Sequence, residues 1–208
     1  YKLPPEKVEL LVMGGDDEMV EKAKNPSIKN NIRKQYNVKS NDFLVITGGK
    51  IDIPKKRVLL LMEAIKQIDN NRIKLLIFGS VVDELKNDFQ KFVDGKKIQY
   101  IGWLGPQDCY NHLAASDLAV FPGGHSVFWE QTVALGIPVV AKYWEGTDHI
   151  DLGGNCKFLY QDSVDEIKEI IINIFEDREL YNQMKEVAEK KGMKEFSYKK
   201  IAKKSIIV

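Results

Sequence analysis

The segment Asp117–Ala141, Asp-Leu-Ala-Val-Phe-Pro-Gly-Gly-His-Ser-Val-Phe-Trp-Glu-Gln-Thr-Val-Ala-Leu-Gly-Ile-Pro-Val-Val-Ala, limits what this chain can fold into more than any other. It holds two short, unbroken apolar runs, Leu118 to Phe121 and the stretch after Gly136. Between them lie a Pro-Gly-Gly loop and a short helical stretch opened by Ser126. Strands that alternate polar and apolar residues bury one face. Unbroken apolar strands bury both, as in a parallel sheet covered by helices. A strand, a helix and a second strand in this order need a crossover, so the two strands are expected to be parallel.

The rest of the chain repeats the pattern. Phe43 to Thr47 is an apolar run ended by Gly48-Gly49, and Val58 to Ile68 follows helical spacing, with Leu59, Leu60, Met62, Ala64 and Ile65 as the inward stripe. Ile73 to Phe78 is closed by Gly79-Ser80 and followed by a helix through Val93. Ile98 to Ile101 precedes a helix after Pro106 that carries Tyr110, Leu113 and Ala114 on one side. Lys157 to Tyr160 reads as a sixth strand, and Ser163 caps a helix to about Phe175, with two further helical stretches behind it. Before all of these, Tyr1–Met13 reads as a loop and then a strand, and the lysine-rich text from Gly14 to Ser40 holds one helix, about Ser27 to Tyr36. The expected fold is α/β: a doubly wound, Rossmann-like parallel sheet with helices on both faces. Residues 1–40 are expected to form a connecting segment, 41–195 the binding domain, and 196–208 a C-terminal helix.

Bulk properties exclude several classes. A net charge of +1 does not supply the phosphate affinity of a nucleic-acid binder. Cys109 and Cys156 stand far apart without metal-ligand spacing, which fits small buried hydrophobes in a reducing, cytoplasmic setting. No apolar run reaches the length of a membrane span, although peripheral association with a membrane face stays open. The chain begins on Tyr1, and the expectation is a piece of a longer protein that carries a further N-terminal domain.

Open sheets of this kind bind ligands at the carboxyl ends of their strands, where the glycine-rich loops fall. The turn Gly123-Gly124-His125 running into a helix at Ser126 and Val127 offers unpaired N–H groups and a helix dipole to an anion. Glu130 and Gln131, inside that helix, can hold hydroxyls beside it. An anion flanked by hydroxyls describes a sugar nucleotide. Of the histidines, His112 reads as a packed or surface residue, His149 as orienting its own loop, and His125 as either functional or structural. Asp148 and Asp151 with His149 have the residue types of a metal site, but the spacing is not diagnostic and such acids are more often turn formers. A dehydrogenase does not fit, because the first glycine loop lacks the G-x-G-x-x-G spacing.

Six segments in order resemble the C-terminal, donor-binding domain of GT-B glycosyltransferases of retaining family 4, glycosyltransferase group 1. Val45–Lys56 resembles the family's V-G-R-L…K-G segment, and Met62-Glu63-Ala64 its L-x-E-A. Leu76–Gly79 is similar to L-x-I-x-G, Ile101-Gly102-Trp103 to F-x-G-x-V, Ala115–Pro122 to A-D-V-x-V-x-P-S, and Gly136–Ala141 to G-x-P-V-V-A. The resemblance implies a nucleotide diphosphate sugar as donor substrate, no cofactor and no bound metal. By position, Lys50 and Lys56, with Gly49 beside them, would clamp the diphosphate, and Gly102-Trp103 would lie at the base. Gly124, His125, Ser126 and Val127 would meet the distal phosphate and sugar, and Glu130, favoured on chemistry, or else Gln131 the ribose. The family's E-G-F-G-L-x-x-x-E-A is altered: its second glutamate falls on Gln131 and its first on Gly123, with Glu130 one residue out of register.

The resemblance further implies a hexosyl transfer with retention to a glycan or lipid-linked acceptor, as in bacterial surface polysaccharide synthesis, by a protein acting at the inner face of the membrane. This chain alone would be inactive without its N-terminal partner domain. The competing reading is a nucleotide-binding or regulatory module that kept the fold without transfer.

Overall fold

The computed structural model describes residues 4, 11–53 and 56–206. Its sheet has six parallel strands in the order β3-β2-β1-β4-β5-β6, formed by β1 (Phe43–Ile51), β2 (Ile73–Val81), β3 (Ile98–Tyr100), β4 (Leu118–Phe121), β5 (Val139–Lys142) and β6 (Cys156–Leu159). The strands expected from Phe43 onward are all present, and the order reverses direction between β1 and β4. That reversal is the crevice where a doubly wound sheet receives ligands.

Side-chain alternation splits the core into two layers. Leu44, Ile46, Leu76, Phe78, Ala119, Phe121, Val139 and Ala141 point to one face. Their neighbours Phe43, Val45, Leu75, Ile77, Leu118, Val120 and Val140 point to the other. Both layers are buried, which is why the runs are apolar throughout. The first face is covered by α1 (Asp17–Ala23), α5 (Pro106–Ala115) and α6 (Phe128–Ala134). The second is covered by α3 (Val58–Gln67), α4 (Asp83–Gln90) and α7 (Val164–Glu176). Three further helices, α2 (Pro26–Gln35), α8 (Arg178–Glu195) and α9 (Tyr198–Ile206), complete the set among the described residues.

Several boundaries differ from the sequence reading. The buried face of α3 carries Val58, Leu61, Met62, Ala64 and Ile65, so Leu61 replaces Leu59 and Leu60, which are only half-buried. Gly48-Gly49 does not end β1, and Gly79 does not end β2. The two strands stay paired to Ile51 and Val81. Gly49 and Gly79 both have positive φ, and a Cβ at Gly79 would stand 1.9 Å from the Gly49 carbonyl oxygen. The glycines thus let two backbones run closer than side chains permit. β6 begins at Cys156, one residue earlier than expected. The lysine-rich opening holds an additional helix, α1, capped by Asp16 accepting from the N–H groups of Glu18 and Met19. The strand expected within Tyr1–Met13 lies largely outside the described residues, and residues 11–13 are not strand.

Ser163 accepts from the Glu166 N–H, the N-cap that the sequence suggested for α7. The C-terminal helix is tied back to the start of the described chain. Gly15 pairs with Ser197, the Tyr198 N–H donates to the Gly15 carbonyl, and the Ser197 hydroxyl donates to Asp17 at 2.6 Å.

Candidate functional site

A cavity of about 330 Å³ opens at the carboxyl ends of the strands. Gly49 and Lys50 come to it from β1, Phe78 and Gly79 from β2, and Trp103 and Leu104 from the turn after β3. Pro106, Cys109 and Tyr110 line it from α5, and Val127, Phe128 and Gln131 from α6. Its size lies within the usual range for small-ligand sites, and its walls are largely apolar with a few polar groups at the rim. A larger hollow of about 510 Å³ lies at the opposite end, among Phe43, Arg72 and Asp117 at or just before the strand starts. We assign the site to the carboxyl ends, because loops there converge on the crevice at which the strand order reverses.

Five of the residues singled out in the sequence line this one cavity: Gly49, Lys50, Trp103, Val127 and Gln131. The extended β1–β2 pair carries Lys50 out to the rim, where its side chain is 67% exposed and its ammonium lies 3.7 Å from Asp52. Gly102, at positive φ, accepts a 2.7 Å hydrogen bond from the Gly79 N–H, which anchors the turn and leaves Trp103 76% exposed at the mouth. Trp103 therefore does not pack against the sheet edge. Burial makes Cys109 inert, since its thiol is pushed up to about 11.

Lys56 lies elsewhere. It is exposed and lines a separate groove with Ile53, Arg57, Leu59, Leu60 and Asp162. Ser126 does not open the helix in the usual way. The helix begins at Phe128 behind Val127, and the Ser126 hydroxyl accepts only a long 3.4 Å contact from the Phe128 N–H. Residues 122–127 carry the chain from the end of β4 to the start of α6.

The adjacent polar residues Glu130 and Gln131 are separated by the helix. A step of one residue turns the side chain about 100°, so only one of them can look into the cavity, and that one is Gln131. Glu130 points inward and its side chain is 1% exposed. Its Oε1 accepts from His125 Nε2 at 2.7 Å and from His149 Nε2 at 2.8 Å. Its Oε2 is buried and has no hydrogen-bond partner.

Burial opposes the charge on Glu130, yet the hydrogen bonds from the two imidazoles overcome it and hold the carboxyl at about 2. The Glu130 carboxylate correspondingly raises the His149 pKa against the effect of burial. The His125 ring also meets the buried Trp129 edge-on, with centroids 5.0 Å apart.

His149 stands on a short 3-10 turn, Asp148–Ile150, after β5. Asp151 and Asn155 hold the following loop: Asp151 accepts from the Gly154 N–H, and Asn155 bonds the Leu152 N–H and the Ile150 carbonyl. Asp151 acts as a turn former, as acids in such a loop usually do. The partnership of Glu130 with His149 was not visible in the sequence, because it joins residues on different elements and no periodic pattern connects them.

The family model described as glycosyl transferases group 1 matches residues 28–191. No curated protein matches this chain by sequence. Among solved structures, Anabaena HepE in complex with UDP and glucose aligns with a TM-score of 0.76 at 18% identity, covering 98% of this chain and 56% of HepE. WaaG, a glycosyltransferase involved in lipopolysaccharide biosynthesis, aligns at 0.78 and 17% identity, covering 100% of this chain and 58% of WaaG. A glycosyltransferase from Rickettsia africae gives 0.78 at 16% identity, covering 98% and 57%. These structures share the fold, and the present chain spans little more than half of their length.

Proposed function

The chain belongs to the glycosyl transferases group 1 family, and on that premise we propose that it forms the donor-binding half of a glycosyltransferase that uses a nucleotide diphosphate sugar. One observation carries this reading: Gly49, Lys50, Trp103, Val127 and Gln131, from three separate parts of the sequence, line a single cavity at the strand reversal. HepE in its UDP complexes supports a uridine nucleotide as the first ligand to test.

In this reading the Trp103 ring stacks on the base, with Gly102 shaping its turn. Gln131 bonds the ribose hydroxyls, and Lys50 neutralises the diphosphate as a mobile point charge. Gly49 permits close backbone approach. Gly124, His125, Ser126 and Val127 surround the distal phosphate and the sugar, where backbone amides stabilise the charge that develops as the diphosphate departs. Lys56 stands outside the cavity and is assigned no contact. Transfer with retention to a glycan or lipid-linked acceptor, contacts from an N-terminal partner domain, and action at a membrane face belong to the same proposal. The alternative, a nucleotide-binding module without transfer, is favoured by one feature: Gly123 stands where the family's first glutamate would face the sugar.

Titration calorimetry of the chain with UDP, GDP and ADP tests the donor site. Saturable binding of one of them, weakened more for the diphosphate than for the nucleoside by Lys50→Ala, is the expected result. Absence of heat and of competition with all three would overturn it. Sugar transfer by the protein together with its N-terminal domain then separates enzyme from binding module.

A further inference from the structure

We infer that His125, Glu130 and His149 form a binding site for one divalent transition-metal ion, with zinc the best match. The inference rests on the geometry of these three side chains and stands whether or not the neighbouring cavity holds a nucleotide.

Their donor atoms lie within 4.8 Å of one another. Two imidazole nitrogens and one carboxylate are a recurrent zinc ligand set with three protein ligands, and they come here from three elements: the loop after β4, the α6 helix and the turn Asp148–Ile150. Zinc holds nitrogen and oxygen ligands at about 2.0–2.2 Å in a tetrahedron, which spaces the donors about 3.3 Å apart. The contacts of 2.7 and 2.8 Å to Glu130 would widen by about half an ångström, and the two imidazole nitrogens, within 4.8 Å of each other, would settle to the same spacing.

The second observation is the state of the carboxylate. One oxygen of Glu130 takes both imidazoles while the other is buried and unpartnered. A buried, charged oxygen without a partner is costly, and native structures seldom leave one so. An ion held by both oxygens of the carboxylate, in place of the two imidazole hydrogen bonds, gives the orphaned oxygen a partner.

Access is one-sided. Glu130 is 1% exposed, whereas the side chains of His125 and His149 are 32% and 21% exposed. His149 also lines a cavity of about 220 Å³ with Leu11, Val12, Leu152 and Phe196. The ion therefore enters from the imidazole side, and its fourth position faces that way, open to water or to an anionic oxygen. Both Nε2 atoms now donate hydrogens to Glu130, so each ring must carry its hydrogen on Nδ1 instead when Nε2 turns to the metal. Protons compete with the ion for both rings, so binding weakens as the pH falls.

The test is titration of the chelator-treated chain with zinc, followed by calorimetry at several pH values, and with cobalt as an optical probe. Expected are one ion per chain, weaker binding at lower pH, a higher melting temperature, and a cobalt spectrum without thiolate charge-transfer bands. His149→Ala and His125→Ala should each weaken binding at least about 10–100-fold, while His112→Ala, on α5, leaves it unchanged. Glu130→Gln should do the same as the histidine variants. Should that buried substitution prevent folding, the two partly exposed histidines carry the test alone. Failure of the wild-type chain to bind zinc saturably, thiolate bands in the cobalt spectrum, or unchanged affinity in both histidine variants would each overturn the site.

Discussion

Neighbouring residues on one short helix meet different chemistry. Glu130 and Gln131 differ by a single amine-for-oxygen exchange, and composition alone cannot say which meets a ligand. The difference comes from helix geometry: the side chain facing the His125 loop and the turn after β5 is shut away, and the next one along reaches the cavity. Chemistry alone favours Glu130 for the ribose contact, but the sequence shows only spacing from Gly136 and not the phase of the helix, and it is Gln131 that lines the cavity. Loss of one hydrogen bond to a ribose hydroxyl is worth about 1 kcal/mol. Gln131→Ala should therefore weaken UDP binding about 5–10-fold, read by calorimetry, and leave zinc affinity unchanged. His149→Ala should show the reverse profile. UDP affinity that ignores Gln131 would remove this residue from the site.

Elements that carry the site are fixed by elements that do not touch it. α6 lies against α8, and the approach is so close that a Cβ at Gly192 would stand 1.9 Å from the Val133 carbonyl oxygen. Glycine is needed here for space, since neither helix can yield its backbone without moving α6. Gly192→Ala should lower unfolding stability by about 1–3 kcal/mol in a urea titration, the range for overpacking a tight core contact. It should also disturb zinc and nucleotide binding together, because Glu130 and Gln131 ride on the same helix. The joint between α1 and α9 is electrostatic. Burial works against the Asp17 carboxylate, but the Ser197 hydroxyl and the Lys199 N–H and ammonium outweigh it and hold its pKa below the ordinary carboxylate value. A depressed folded-state pKa means stability that is complete above the unfolded value and is lost as the pH falls through the folded one. The stability gap between wild type and Asp17→Asn should thus be constant from neutral pH to about 5 and shrink below about 4. A gap that persists unchanged at strongly acidic pH would show that the joint does not depend on the carboxylate.

For the whole molecule, what the sequence discloses follows from how far each signal reaches along the chain. Unbroken apolar runs such as Leu44 to Ile46 in β1 and Leu118 to Phe121 in β4 are local, and they announce a covered parallel sheet by themselves. Glycines are legible as special positions, but their meaning is not: Gly49 and Gly79 continue a strand pair because they face each other, a relation between distant residues. The cluster around Glu130 is hidden for the same reason. Recognition of a ligand at the strand reversal is likewise a property of the assembled sheet, so it should be felt by the entire fold. A ligand that binds only the native state stabilises it by about 2.7 kcal/mol at one hundred times its dissociation constant. For a domain of this size each kcal/mol raises the melting temperature by roughly 2–4 °C. Saturating UDP should then raise it by about 5–10 °C, and uridine by less at the same concentration, because the Lys50 side of the cavity is left without its anion. The sheet joins β1, β4 and α6 in one core, so the transition should shift as a single cooperative step in calorimetry. A melting point indifferent to every nucleoside diphosphate would mean that the crevice does not bind what its lining residues suggest.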